Sequence, residues 1–327
     1  MIGTDDFLRH LHDRASRALV HWGLEGTETR LIKYRENAVF RVRLADGAYA
    51  ALRLHRPGYH RRDTILSELL FVAHLVGEGA RAPAPLPTLS GTLLAECGRD
   101  GVTDYASLVC WMEGAPLGES GRLLAHAPDE AQALFHRLGA TLAQLHDSAD
   151  RFKGNDSFVR PAWDRDGLLG DAPLWGRFWD CEGLSPDSAA GLARLRARLF
   201  DHLAQAGTDG LDYGLIHADG VRENVMVHGE EIGLIDFDDC GYGYRLFDLA
   251  TVLLKNRIEP HYPALEAALI TGYRSCRSLS DAALALLPLF VVMRSLTYIG
   301  WAAARPEMAH KTQKYADDAL ELAEQIL

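Results

Sequence analysis

The stretch "LIHADGVRENVMVHGEEIGLIDFDDC", residues 215–240, decides how this chain is read. An apolar run stops at His217, an acid follows at Asp219, and an amide follows at Asn224. Two short β-rich runs, "NVMVH" and "EIGLIDF", flank a turn at Gly229, and the second delivers Asp236. A hairpin of that length returns its far end beside its start, so Asn224 and Asp236 are expected to converge. One amide oxygen and one carboxylate meeting at a cleft suit a hard-oxygen Mg²⁺ site whose remaining positions are filled by substrate phosphates. Asp219, ahead of both on the loop, is then placed to meet a hydroxyl nucleophile. Glu223 adjoins Asn224 and is expected to face away. Turns favour Asp and Asn for local reasons alone. Taken jointly at this spacing, with "RLFDLA" downstream, the acids and the amide point to chemistry.

Working outward, the chain before this stretch reads in two parts. Residues 5–22 have the pattern of an amphipathic helix. "VFRVRLADGAYAALRLHR", residues 39–56, is a pair of β-rich runs around Asp46-Gly47, a strong hairpin signal. Ile65, Leu69, Val72 and Leu75 or Val76 then follow helical spacing, which Gly77 and Gly79 end. After the proline-punctuated connector "ARAPAPLPTLSG", short strands are expected near Thr92–Glu96 and Tyr105–Trp111, the second running into "MEGAPLG". The domain boundary is expected there. Residues 1–112 form a strand-rich unit with one helix between its strands, and residues 113–327 a mostly helical one. In the second part, helices are expected over about 128–147 and 187–206. A tryptophan-rich loop region spans 160–180, and three or so helices follow the hairpin.

The order and spacing of "HADGVREN" and "IDFDD" resemble the protein-kinase catalytic loop and its metal-binding motif. The nearer resemblance is to the aminoglycoside phosphotransferase and choline kinase family. Its loop reads H-G-D-x-x-x-x-N and its metal strand I-D-F/W-D/E. "LIDFDDCGYGYRLFDLA" is particularly similar to the type II homoserine kinase, hydroxylysine kinase and bacterial stress-response kinase members.

This resemblance implies an α+β, bilobal protein-kinase-like fold with a small β-rich N-lobe and a larger helical C-lobe. The nucleotide cleft would lie between the lobes, residues 1–112 being the nucleotide-binding lobe and residues 113–327 the catalytic and substrate-binding lobe. It further implies an ATP- and Mg-dependent phosphotransferase moving the γ-phosphate to a hydroxyl of a small molecule. Asp219 would be the catalytic base, with Asn224 and Asp236 as metal ligands. Arg53, paired to Glu68 of the next helix, would hold the α- and β-phosphates. Backbone near Asn37 and Ala38 would cover the phosphates, and backbone from Cys110 to Met112 would read the adenine. His217 would position the loop, and Asp248 would tie its backbone.

Three positions depart from the family pattern. Arg53 replaces the usual lysine; a guanidinium grips phosphate bidentately but is bulkier. The first hairpin lacks G-x-G-x-x-G, and Gly220 stands where leucine or histidine is common. Asp238 and Asp239 stay open between solvated charges, groups behind the metal ligands, and receptors for a cationic substrate. Arg53 and Glu68 would be only a surface ion pair on the plainest reading. Trp163, Trp175 and Trp179 read as packing rather than a cation cage, and His146 as structural.

The formal charge of −11 argues against nucleic acid, whose phosphates need clustered Lys and Arg, and against an anionic membrane surface. Together with Asp238 and Asp239 it favours an acceptor carrying an amine, such as an amino alcohol or hydroxy amino acid. Five scattered cysteines without a CxxC pair fit neither a disulfide framework nor a zinc site, and a reducing cytoplasm is expected. The N-terminal residues have acids early and no apolar h-region. "AALALLPLFVVMRSLTYIGWAAA", residues 282–304, is interrupted by Pro288 and Arg294 and reads as a buried helix, not a membrane span. The protein is expected to be a monomer or homodimer. Rival readings are a protein Ser/Thr kinase, a nucleotide-binding pseudokinase scaffold, and a D-x-D phosphatase. The last is disfavoured because alternating β-α units are missing around "DFDD".

Overall fold

A computed structural model describes residues 4–34, 37–98, 103–205 and 211–327. The chain divides into two compact units, Met1–Gly114 with Phe152–Arg160, and Ala115–Arg151 with Pro161–Leu327.

The first unit contains α1 (Thr4–Leu19), β1 (Thr29–Tyr34), β2 (Ala38–Arg43), β3 (Tyr49–Leu54), α2 (Arg62–Gly77), β4 (Pro85–Leu86), β5 (Ala95–Glu96) and β6 (Tyr105–Cys110). Its antiparallel sheet runs β1-β2-β3-β6-β4, with β5 also on β6. Ala38, Phe40 and Val42 alternate inward along β2, and Ala50, Leu52 and Leu54 along β3. They meet Leu11, Ala15 and Ala18 of α1 in one buried cluster. Each large apolar side chain buried this way contributes about 1.5–3 kcal/mol. The β2–β3 turn closes through Leu44 N–H to Ala48 O (2.8 Å), and Gly47 takes φ 88° there, a conformation that favours glycine.

β1 is a strand that the sequence pattern hid. "TRLIKY" carries charge at Arg30 and Lys33, out of step with a period of two, and lies at the sheet edge, mostly exposed, with a bulge between Leu31 and Lys33. The boundary also differs from a single cut after Met112. Phe152–Arg160 returns to the first unit because Phe152 packs edge-on against Phe71 (5.5 Å) and Phe158 (5.0 Å). Val159 N–H donates to Ser67 Oγ (2.9 Å) and Arg160 Nη1 to Thr64 O (3.1 Å), which holds the segment on α2.

The second unit contains β7 (Ala115–Pro116), α3 (Pro128–Arg151), β8 (Ala162–Trp163), α4 (Arg165–Leu169), α5 (Pro186–Gln205), β9 (Tyr213–Ile216), β10 (Val225–His228), β11 (Glu231–Leu234) and β12 (Gly241–Tyr244). Then come α6 (Arg245–Leu254), α7 (Tyr262–Cys276), α8 (Asp281–Leu284), α9 (Leu287–Ala303) and α10 (Thr312–Ile326). More helices follow the hairpin than the three or so expected, because the apolar stretch 282–304 breaks into α8 and α9, with Pro288 in the first turn of α9. That stretch is apolar and long enough to cross a membrane by composition, yet most of α9 is buried, packed on α6 and α10. Two small sheets run β11-β10-β7 and β8-β12-β9. α3 and α7 pack closely at Gly139 and Gly272. A Cβ on Gly272 would lie 1.8 Å from His136 O, and one on Gly139 would lie 2.0 Å from Leu269 O.

The tryptophans divide. Trp163 is buried and stacks on Phe247 at 5.4 Å. Trp175 and Trp179 are half-buried instead, beneath the guanidinium groups of Arg305 (5.1 Å) and Arg196 (4.1 Å). Trp179 also meets the buried Phe178 edge-on at 4.9 Å, so it packs on the core as well as under an arginine.

Candidate active site

The site is assembled where β9 ends. Asp248, in the first turn of α6, is buried and accepts three hydrogen bonds: from His217 N (2.9 Å), Ala218 N (2.7 Å) and His146 Nε2 (3.0 Å). Burial alone raises its carboxyl pKa, but the His146 bond, the nearby rings and the His217 N–H outweigh it and hold it below the ordinary value. The carboxylate therefore pins the backbone that turns into the loop. Ala218 sits there at φ 66° and Asp236 at φ 68°, both outside the comfortable region for side chains of this kind. Such backbone persists only where surrounding bonds over-determine it, as Asp248 does for Ala218.

His217 is fully buried, and burial depresses its pKa, so it is neutral. Its Nδ1 accepts from Asp219 N–H (3.2 Å). The proton is therefore on Nε2, which donates to Ile235 O (3.1 Å). One imidazole thus joins the loop to the end of the hairpin. The hairpin itself is in register from Val225↔Leu234 to His228↔Glu231, and Ile235 N–H donates to Asn224 O (2.9 Å). The backbones of Asn224 and Ile235 are therefore bonded side by side, with Asp236 next in chain.

Asp219 is held from two sides. Asn224 Nδ2 donates to its Oδ2 (2.8 Å) and to its backbone carbonyl (3.0 Å). Arg294 Nη2, from α9, donates to its Oδ1 (2.7 Å). Arg294 is buried; its Nη1 donates to Thr297 Oγ1 (2.8 Å) and its Nη2 also to Tyr298 Oη (3.4 Å). Because the Asn224 amide nitrogen is committed to Asp219, its Oδ1 is the acceptor that remains for a ligand. Among the described residues no cluster of three His, Cys, Asp or Glu side chains forms a metal cage. An Asn oxygen with one carboxylate still fits Mg²⁺, which keeps several non-protein ligands. Glu223 turns to Ser120, accepting from its N–H (2.7 Å) and its Oγ (3.1 Å). Arg222 is buried and pairs with Glu259 (2.6 Å), fixing the loop from below.

Asp239 sits among acids. Among the described residues its carboxylate has no hydrogen-bond or ion-pair partner; only its backbone oxygen is engaged, by Trp163 Nε1 at 2.8 Å. Burial, then Asp219 and Asp238, push its pKa up to about 8, and Arg294 opposes them.

In the first unit, Arg53 Nη1 and Glu68 Oε1 form an ion pair of 2.5 Å, both side chains largely covered. This is not the exposed pair of the plainest reading. Asn37 is buried just before β2; Arg35 and Glu36 lie outside the described residues. The Cys110 N–H donates to Ala84 O (2.8 Å) and the Trp111 N–H to Tyr49 O (3.1 Å), so both are committed within the unit. Met112 follows with no strand assigned to it. Sequence reading missed Arg294 as a site residue. Its signal was a single charge in a long apolar run, which costs too much to bury without a partner.

A model of the phosphotransferase enzyme family, APH, matches residues 28–283. The chain belongs to that family. Membership makes it a phosphotransferase, an enzyme of the kinase type, and its fold is the α+β protein-kinase-like one. The APH-family chain is 31% identical to a microcompartment-associated aminopropanol kinase of known structure, with TM-score 0.80 over 96% of this chain and 97% of that one. It is 30% identical to a homoserine kinase of Xanthobacter autotrophicus over 77% of this chain and 72% of the relative. An amicoumacin kinase solved with AMP-PNP and Ca²⁺ shares the fold at TM-score 0.77 and 20% identity, covering 96% of each chain.

Proposed function

We propose that this APH-family enzyme transfers the γ-phosphate of ATP, with Mg²⁺, to a hydroxyl of a small acceptor that carries an amine. The observation that carries the reading is the Asp219 carboxylate held between Asn224 and Arg294, with unpartnered Asp239 close by. Related proteins acting on aminopropanol and homoserine support the acceptor class, and a relative solved with AMP-PNP and Ca²⁺ supports nucleotide and divalent metal.

Asn224 Oδ1 and Asp236 would hold Mg²⁺, which neutralises charge on the phosphates when bound. Arg53, steadied by Glu68, would grip the phosphates, and the backbone from Cys110 to Met112, through groups other than the committed Cys110 and Trp111 N–H, would read the adenine. As the acceptor oxygen bonds to the γ-phosphorus, the bond from that phosphorus to the β,γ-bridging oxygen breaks and ADP leaves. Asp219 takes the hydroxyl proton. Arg294 and Asn224 fix which carboxylate lone pairs face the acceptor, and this alignment is the main service an enzyme gives to phosphoryl transfer. The acceptor ammonium would be received by Asp239, whose carboxyl, held protonated by burial and its acidic neighbours, would ionise against that cation, with Asp238 adding to the negative field.

The test is ATP consumption across amino alcohols, hydroxy amino acids, aminoglycosides, neutral sugars and protein substrates. Turnover of the amine-bearing small molecules is expected. Turnover confined to neutral sugars or proteins would overturn the acceptor class.

A further inference from the structure

The chain that leaves β7 runs as a strap along the loop 217–224. β7 pairs antiparallel with β10 through Met226↔Pro116 and Val227↔Ala115, and Leu117 N–H then donates to Val225 O (2.7 Å). Residues 118–124 follow without helix or strand, and Glu119, Ser120, Gly121, Arg122 and Leu123 are all exposed. Such a segment has no core of its own and is held by its hydrogen bonds. Among the described residues, the bonds that tie it to the rest of the protein end on that loop and on Glu259. Arg222 Nη1 donates to Arg122 O, and Leu124 N–H donates to Glu259 Oε1 (3.0 Å). Ser120 donates to Glu223 from both its N–H (2.7 Å) and its Oγ (3.1 Å).

The side chains of the loop divide by what they hold. Asp219 and Asn224 bond to each other, while Arg222 and Glu223, between them in the chain, bond to the strap. The two anchors differ in depth. Arg222 is buried and shares Glu259 with Leu124, so it belongs to the packing of the fold. Glu223 is half-buried and meets Ser120 at the surface, where a lost bond changes global stability little. Both carboxylate oxygens of Glu223 are taken up by Ser120, which fixes the side chain and, one peptide further on, the backbone of Asn224. Asn224 has to keep Nδ2 on Asp219 while its Oδ1 stays available to a ligand. A residue facing away from the site thus governs the aim of one inside it.

We infer that Glu223 is a positioning residue: tied to Ser120 of the strap, it holds Asn224 so that the amide bonds Asp219 and presents Oδ1 to the divalent metal. This rests on the roles given above to Asp219 and Asn224 and adds to them a residue that touches neither substrate nor metal. Phosphoryl transfer draws chiefly on alignment, so releasing the tether costs rate rather than acceptor binding.

The test compares native enzyme, Glu223→Ala and Glu223→Gln. Glutamine keeps the tether without the charge, since its Oε1 accepts from Ser120 N–H and its Nε2 donates to Ser120 Oγ. With the acceptor that the native enzyme turns over fastest, Glu223→Ala lowers kcat about 10-fold, the loss of a charge-assisted bond, and leaves the acceptor KM and the melting temperature in place. Glu223→Gln retains most of the rate. Two readouts are independent of turnover. Amide hydrogen exchange over residues 217–224 is faster in Glu223→Ala and native-like in Glu223→Gln, and Mn²⁺ binds the AMP-PNP complex more weakly in the alanine variant alone. An unchanged kcat in Glu223→Ala overturns the role, and so does an equal loss in both variants, which would make the charge rather than the tether responsible. A Glu223→Ala chain that melts much earlier or does not fold assigns Glu223 to the fold and overturns it as well. Normal turnover in Asp219→Asn would overturn the site reading beneath it, an outcome that the exchange rates do not share.

Discussion

Arg294 Nη2, on α9, donates a 2.7 Å hydrogen bond to Asp219 Oδ1 on the loop after β9. The guanidinium and the carboxylate are coupled by contact. Arg294→Met is expected to lower kcat with little change in the KM for ATP. In an Asp219→Asn background the same change should cost little more. A double-mutant cycle on kcat measures the difference. Additive losses would show that Arg294 supports the fold and not the base.

Asp219→Asn by itself is expected to lower turnover by about 10²–10⁴-fold, the usual share of general acid–base work, while nucleotide still binds. Single-turnover assays and titration with an ATP analogue separate the two effects. Full activity in this variant would remove Asp219 from the chemistry.

Asp236→Ala should abolish divalent-dependent transfer and leave nucleotide binding measurable, because Arg53 and the strand backbone of the first unit do not depend on it. Mg²⁺ titration of the rate is the readout. Near-normal turnover at ordinary Mg²⁺ would contradict the assignment.

Arg53→Ala is expected to raise the KM for ATP by roughly tenfold, the loss of one charge-assisted contact. It should also lower the melting temperature, because it removes the Arg53 guanidinium from Glu68, only 3% exposed in its side chain. Arg53→Lys should recover more of the stability than of the affinity, since an ammonium lacks the planar fork. An unchanged KM in Arg53→Ala would confine this arginine to a structural role.

Stability should fall on the acid side of neutrality. His146 and His217 are buried with depressed pKa values, both chiefly through burial. The unfolded chain takes up a proton on each as pH drops through the ordinary 6.5, whereas the folded chain resists until lower pH. Their neutral burial is therefore harmless above that value and increasingly costly below it. The melting temperature of His146→Gln should depend less steeply on pH between about 6 and 5 than that of the native protein.

The placement of the loop beside the hairpin was legible because its geometry is local. Asp219, Asn224 and Asp236 lie within one loop and one hairpin, where a period of two and a glycine turn determine which residues meet. The helix with Ile65, Leu69 and Val72 could be placed for the same reason, its apolar residues repeating at helical spacing. β1 escaped notice because an edge strand need not alternate apolar and polar residues. The return of Phe152–Arg160 to the first unit was invisible for a different reason: it depends on aromatic rings meeting α2 far along the chain.

By itself, then, the order of residues 215–240 carried the resemblance to a phosphotransferase family and the convergence of loop and hairpin, because loop, strand and turn have fixed offsets that survive without knowledge of the rest. Only tertiary structure decided what surrounds that chemistry. Arg294 reads in sequence as a charge interrupting an apolar helix, and Lys255 as a residue just past the end of another. Packing α9 against α6 turns the first into the partner of Asp219 and brings the second to 3.8 Å from the centre of the Tyr298 ring. Long-range contacts follow no sequence period; burial forces each charge to find a partner, and the fold decides which one it finds.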